Sequence, residues 1–515
     1  MFCPLKRPVL TYLPTLTLCG CLLLFGTFLS SLAHPTSLGD GIRHLTLARL
    51  LQEGNSFGGW GDVLYSGYFS TRSSDPWFLT HVLLMPLGTL DIAIAEDMLI
   101  LLLIGAVGIT FLLFLRTLRL SPASQSILIA LLLLGHVQFT FRLLVGRPLF
   151  LMVALTTLTL LTVLHKQPLL LLVLMTIATL LSHLFVFPLF ICLLGSLWLL
   201  SLSRKRTAML TFLSALSGLV IGLLLHPQTS NFVHYVFTIF LRVPFLTELD
   251  TGTEMHSGIG RMAAVLTLLG ACLLFAYHLW YTRRASWKEM HRRGLSLTAS
   301  IVLVMTLGML LWVRMLDFLW PLLLILLAQV LSLYPPIAKE TAHVLLPRWA
   351  LLRKYTLGVL LLVLTVNTAK TFYSFSTVNA ENALSHFTDP LKNIPEKSRV
   401  LNVDWDLFPS LFSARPDLLY ARGMDPSYDY LSDPDSIRFF AAVRNPSEET
   451  DWNVWLTELI QHIPSDYLAL WRAEKRRNMI ETLNQNKSLE HVGMSDRIIV
   501  YKILSSTEQS AQDSV

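Results

Sequence analysis

Charge is scarce in this chain. Only 14% of its 515 residues are Asp, Glu, Lys or Arg, where a soluble protein carries roughly a quarter. That shortage excludes an ordinary soluble globular protein. Cysteine is scarce too. The five present are Cys3, Cys19, Cys21, Cys192 and Cys272, and none falls in residues 32–94, in 227–261 or beyond 371. The long polar segments therefore hold no disulfide framework and no cysteine-based metal site. No internal repeat is visible.

What remains is apolar and unevenly spread. Hydrophobic residues make up 53% of the chain and the mean hydropathy is +0.57. Apolar stretches of about 17–25 residues read as membrane spans. Eleven are expected, at roughly 10–31, 95–115, 124–141, 148–164, 168–182, 184–202, 207–226, 262–282, 295–313, 318–335 and 355–372. The fifth and sixth are short and meet at Ser182-His183, as halves of a broken or tilted helix would. Basic clusters follow every second block: Lys6 and Arg7; Arg116 and Arg119; Lys166; Arg204 to Arg206; the group from Arg283 to Arg293; and that from Lys339 to Lys354. Positive charge near span ends stays cytoplasmic. The N-terminus is then inside as an uncleaved first span, and loops 32–94 and 227–261 and the tail are outside.

The net charge of +6 divides into about +13 before residue 371 and −7 after it. The basic balance thus reflects topology and anionic lipid rather than nucleic acid. The expected fold is an α-helical multi-pass membrane domain over 1–372, an extracytoplasmic α/β domain over 373–505 and a disordered tail over 506–515. In that tail domain 399–403, 418–421, 467–470 and 498–502 read as strands, and 451–462 and 473–484 as helices. In the first outer loop a helix is expected over 41–53, capped by Asp40, and another over 77–87, started by Asp75-Pro76. The loop reads as lying half in lipid. In the second, 232–245 is amphipathic and aromatic, and 247–260 is polar and Gly-rich.

Four groups of residues carry candidate chemistry. In Gly39-Asp40-Gly41-Ile42-Arg43-His44, a helix beginning there puts Asp40 and His44 on one face. A carboxylate beside an imidazole accepts a proton from a hydroxyl or holds a divalent cation; the alternative is an N-cap and a solvated histidine. Asp75 is a second candidate, or simply a helix start. Arg142, Arg147 and Arg314 stand at outer span ends, against the topology rule, and suit a phosphate ligand. The alternatives are snorkelling and an Arg314–Asp317 pair. In the tail, Asp404-Trp405-Asp406 follows a strand. Trp405 suits a sugar face, and Asp406, Glu254 and His256 are candidate substrate contacts. No adjacent acidic pair occurs in the first outer loop, so ligands to any metal must come from separate segments.

A first span, a long outer loop with an early aspartate, further spans and an outer soluble domain resemble the GT-C superfamily of integral-membrane glycosyltransferases. That group includes protein O-mannosyltransferases, aminoarabinose transferases and oligosaccharyltransferases. The resemblance implies transfer of a sugar from a polyprenyl-phosphate donor to an acceptor on the outer face of a cell membrane. Asp40 would deprotonate or orient the acceptor, with His44 and Asp75 shaping the site or holding an ion. Arg142, Arg147 or Arg314 would stabilise the departing phosphate. The sugar, the acceptor and the cofactor, a divalent cation included, stay open. A bacterial inner membrane fits the lack of outer disulfides. The rival readings are a lipid or solute transporter and a non-catalytic envelope scaffold.

Overall fold

The computed structural model describes residues 40–54, 58–242, 269–270, 286–311, 315–333, 365–366, 368–370, 373, 384–423, 432–444 and 449–505. In chain order the helices are α1 (Asp40–Gln52), α2 (Gly67–Thr71), α3 (Phe78–Leu84), α4 (Ile92–Thr117), α5 (Pro122–Leu134), α6 (Val137–Leu144), α7 (Leu149–His165), α8 (Pro168–Leu181), α9 (Val186–Ser201), α10 (Lys205–Leu225), α11 (Thr229–Leu241), α12 (Trp287–Arg292), α13 (Leu295–Leu311), α14 (Met315–Ser332), α15 (Ser385–Leu391), α16 (Phe408–Ala414), α17 (Pro434–Arg444), α18 (Trp452–His462) and α19 (Arg477–Asn484). The strands are β1 (Arg399–Asn402), β2 (Leu419–Tyr420), β3 (Tyr467–Trp471), β4 (Leu489–Met494) and β5 (Ile498–Ile503). Two compact units result. One takes its described residues from Met1–Ala33, Asp97–Leu224 and His256–Ser376, the other from His34–Glu96, Leu225–Met255 and Thr377–Val515.

The first unit is helical and apolar. Four helical segments are long and apolar enough to cross a membrane: α4, His183–Ser201, α10 and α14. Shorter apolar helices are α7, α8 and most of α13. The 17 residues of α7 span about 25 Å, less than a hydrocarbon core of about 30 Å. Of the eleven expected spans, 10–31 lies outside the described residues, and 262–282 and 355–372 do so almost wholly. Threonines inside α7 and α8 return their hydroxyls to the carbonyl one turn back, as Thr156 does to Met152 at 2.7 Å and Thr179 to Met175 at 2.8 Å. Those hydroxyls are thereby satisfied inside their own helices. Gly218 and Gly222, four apart on α10, let its backbone meet α8. A side chain at Gly222 would meet Thr179 at 2.6 Å.

The expected span 124–141 is not straight. α5 and α6 meet at 74° across Gly135-His136. His136 is extended (φ −135°, ψ 113°), and a Cβ on Gly135 would meet the Trp320 ring at 2.8 Å. The break is bridged from α14: the indole N–H of Trp320 lies 3.3 Å from the Leu131 carbonyl and 3.2 Å from that of Leu132. Leu131 O also accepts Gly135 N–H at 2.8 Å, and Leu132 O is the carbonyl that a continuous helix would have satisfied from position 136.

The second unit is built on a five-stranded sheet in the order β2-β1-β3-β5-β4. β1 runs parallel to β2 and β3, and β5 antiparallel to β3 and β4. Alternate residues feed two cores, as a period of two requires. Val400, Tyr467, Ala469, Ile498 and Val500 enter one; Leu401, Leu468, Leu470, Ile499 and Tyr501 enter the other. The tail's own α17, α18 and α19 cover the second face. The first face is covered by α15 and α16 together with residues of both long loops: Leu47, Trp60, Leu64, Tyr68, Phe69, Tyr235 and Ile239. Each such burial is worth about 1.5–3 kcal/mol. The first loop also extends the sheet. Tyr420 N–H donates to Val63 O at 2.9 Å and Tyr65 N–H to Tyr420 O at 3.1 Å. The two long loops are therefore core elements of the domain that the tail forms.

Candidate functional site

The site grows from α1 in the second unit. Residues Gly41 to Ala48 are buried all round this helix, which differs from the mixed face the sequence suggests. Its polar side chains must then find partners inside. Arg43 lies between two indoles, 5.9 Å from the Trp60 centroid and 5.5 Å from that of Trp77. It is 3.4 Å from the Asp40 carboxylate. Asp40 sits in the first helical turn, where its charge suits the helix dipole. Arg49 donates to the carbonyls of Gly88 at 3.1 Å and Leu90 at 2.9 Å, closing the turn that follows α3.

His44 Nδ1 is 2.6 Å from His81 Nε2, and His81 Nδ1 is 2.6 Å from Asp75 Oδ2. All three side chains are buried. The 2.6 Å spacing between the rings is that of a shared proton. Two nitrogens on one tetrahedral zinc stand about 3.3 Å apart. An ionised Asp75 fixes the proton of His81 on Nδ1, leaving Nε2 to accept from His44 Nδ1–H. The free lone pair of the chain is then His44 Nε2. Burial, and after it the neighbouring His81 and Arg43, hold His44 well below its ordinary pKa. His44 is thus a neutral base at the end of a buried Asp–His–His relay.

Asp75 is placed by its backbone. Its Oδ1 accepts Trp77 N–H at 3.1 Å, which starts α3 as the Asp75-Pro76 step predicts. Its own N–H donates to Gln228 Oε1 at 3.1 Å, and its carbonyl accepts from His226 Nε2 at 3.1 Å. Asn231 Nδ2 donates to Ser73 O at 2.8 Å. The opening of the second long loop therefore straps the first. Gly59, at φ 119°, makes the close approach possible: a Cβ there would stand 2.6 Å from Ser74 N.

Of the expected site residues, the structure brings Asp40, His44 and Asp75 into one unit, the last two into one relay. His81 and His226 complete it and were not read from the sequence. His81 was detectable only as a histidine inside the apolar run of α3. Trp405 and Asp406 lie in the turn after β1. Among the described residues neither shares a hydrogen bond or ring contact with the relay. Asp404 beside them is structural, paired with Arg476 through both carboxylate oxygens at 2.5 and 2.6 Å. Glu254, His256 and Arg314 lie outside the described residues.

In the first unit Arg142 donates to Asp317 Oδ2 at 2.7 Å, with both side chains buried. Arg314, the partner that sequence spacing offers for Asp317, lies outside the described residues. Arg147 is half-buried in the turn before α7, after Gly146 at φ 71°. An anion approaching Arg142 competes with Asp317. Among the described residues, no group of three or more His, Cys, Asp or Glu side chains is placed to hold a metal ion. Compared with known proteins, the chain matches no protein-family model and no curated protein.

Proposed function

We propose that this protein is a membrane glycosyltransferase that moves a sugar from a polyprenyl-phosphate donor to an acceptor. The observation that carries the reading is the buried Asp75–His81–His44 relay, one helical turn from Asp40. The acceptor hydroxyl or amine attacks the anomeric carbon, a bond forms there, and the bond from that carbon to the phosphate oxygen breaks. The acceptor's proton goes to His44 Nε2. The proton on His44 Nδ1 passes to His81 Nε2, and the positive charge comes to rest beside Asp75. Asp40, part-exposed and held near Arg43, orients the acceptor. Polyprenyl phosphate departs as an anion. Fixed cations lower such a barrier by neutralising that charge.

The test is direct. Full-length protein in nanodiscs is offered a panel of radiolabelled polyprenyl-phosphate sugars, and release of polyprenyl phosphate is followed. Turnover by the wild type, reduced about 10²–10⁴-fold in His44→Gln, supports the reading. No release from any donor, or wild-type rates in the variant, sinks it.

One observation favours a transporter instead. The buried Arg142–Asp317 pair joins α14 to one half of a broken helical pair, and discontinuous helices with intramembrane charge are used by transporters. Sugar–lipid moved across a bilayer with its phosphate bond intact would select that reading.

A further inference from the structure

A second cluster in the same unit is unrelated to the relay. Tyr68 on α2 and His234 on α11 are joined through Tyr68 OH and His234 Nδ1 at 2.7 Å, with their rings stacked at 5.8 Å. Each helix ends in an exposed arginine. Arg72 closes α2 one turn beyond Tyr68, and Arg242 closes α11 two turns beyond His234. Among the described residues, neither guanidinium has a carboxylate partner. Burial lowers the pKa of His234, and Arg72 and Arg242 lower it further. Both charges therefore bear on His234.

The same helix carries an exposed apolar row. Phe237 and Leu241, one turn apart, are each 60% exposed, while Phe232, Tyr235, Thr238 and Ile239 are buried. At 100° per residue, the row Phe237–Leu241 lies beside the row His234–Thr238–Arg242. Only residues 226–228 separate α11 from the end of the candidate span α10. Three extended residues, with the bonds that join them, reach roughly 13 Å. The start of α11 is thereby tethered to the end of α10. Aromatic and aliphatic side chains next to arginine match an acyl–headgroup boundary.

We propose that Arg72, Arg242, His234 and Tyr68 form a binding site for the phosphate of an anionic membrane lipid, with Phe237 and Leu241 inserted among its acyl chains. The site is independent of the transferase reading and would anchor the strap that holds Asp75.

The experiment uses full-length protein in nanodiscs containing phosphatidylglycerol with a photoreactive headgroup. After irradiation, lipid adducts are quantified on the segment 229–242 and, as reference, on α10. Adducts are expected on 229–242 in the wild type. They should fall about tenfold or more in the Arg72→Gln/Arg242→Gln variant, and also in Phe237→Ser/Leu241→Ser, with the α10 adducts unchanged. These side chains are exposed, so the fold should survive their replacement. Absent adducts, or unchanged adducts in the arginine variant, overturn the site. Complete competition by soluble inorganic phosphate assigns it to free phosphate and overturns the lipid.

Discussion

His44 and His81 come from helices 37 residues apart in sequence, yet share one proton at 2.6 Å in a buried setting. Neither ring could be placed there alone. A buried imidazole without a partner costs about 1–3 kcal/mol. The pair meets that cost only because Asp75 fixes the tautomer of His81, and so the direction of the whole chain.

If the protein is the transferase proposed above, Asp75 should matter more for turnover than for stability. Asp75→Asn keeps an oxygen for Trp77 N–H but removes the charge that steadies a protonated His81. Donor cleavage is expected to fall about 10²–10⁴-fold. Imidazole nitrogen NMR should show a changed proton distribution on His44 and His81. Unchanged turnover beside an altered NMR signature would leave the relay a structural device.

Gly59 tests the placement of that carboxylate from the backbone side. Its φ of 119° and ψ of 177° lie in a region that is essentially glycine-only, and an added Cβ meets Ser73 and Ser74. Gly59→Ala should destabilise the second unit by about 1–3 kcal/mol. It should also raise hydrogen exchange at residues 73–77. Exchange at β3 should rise less than at that segment. A variant as stable as wild type would mean that the Ser73–Asp75 segment moves freely.

Parts of this arrangement were legible in the sequence. β1, β3 and β5 show because apolar residues on both faces leave continuous runs such as Ile498-Ile499-Val500. β4 does not: its Leu489-Glu490-His491 is half-exposed and resembles a loop. The helix start at Asp75-Pro76 was readable because its cause is local. His81 was not, since its partners lie on another helix and on the preceding turn. The merging of the two long loops with the tail was invisible for the same reason: Leu64 pairs with Tyr420, which comes far later in the chain. The bend at Gly135-His136 hid in an apolar run because Trp320, which supports it, comes far later in the chain.

The buried histidines set a pH dependence. Burial holds His226 below its ordinary value, against the raising effects of the Asp75 carbonyl and carboxylate. His44 is depressed as well. Unfolded histidines titrate at about 6.5. Below that pH the unfolded chain binds protons that the folded one refuses, so stability falls as pH drops. Melting of the second unit, followed by hydrogen exchange at Thr229–Leu241, should move to lower temperature between pH 8 and 5.5. His226→Gln, which keeps a donor for Asp75 O, should show a smaller acid loss. Equal losses in both proteins would remove His226 from the explanation.

The Arg142–Asp317 pair separates structure from function in the first unit. Breaking a buried ion pair by removing one partner costs about 3–5 kcal/mol, because the other charge is stranded; replacing both with apolar side chains is often neutral. Arg142→Met and Asp317→Leu should each lower the melting temperature in nanodiscs, and the double variant should recover most of the loss. The recovered protein then becomes informative. If Arg142 neutralises a departing phosphate, the double variant stays folded but turns over donor slowly. If the pair only locks α6 against α14, the double variant keeps wild-type turnover. A double variant as unstable as the singles would show that the two side chains do not depend on each other.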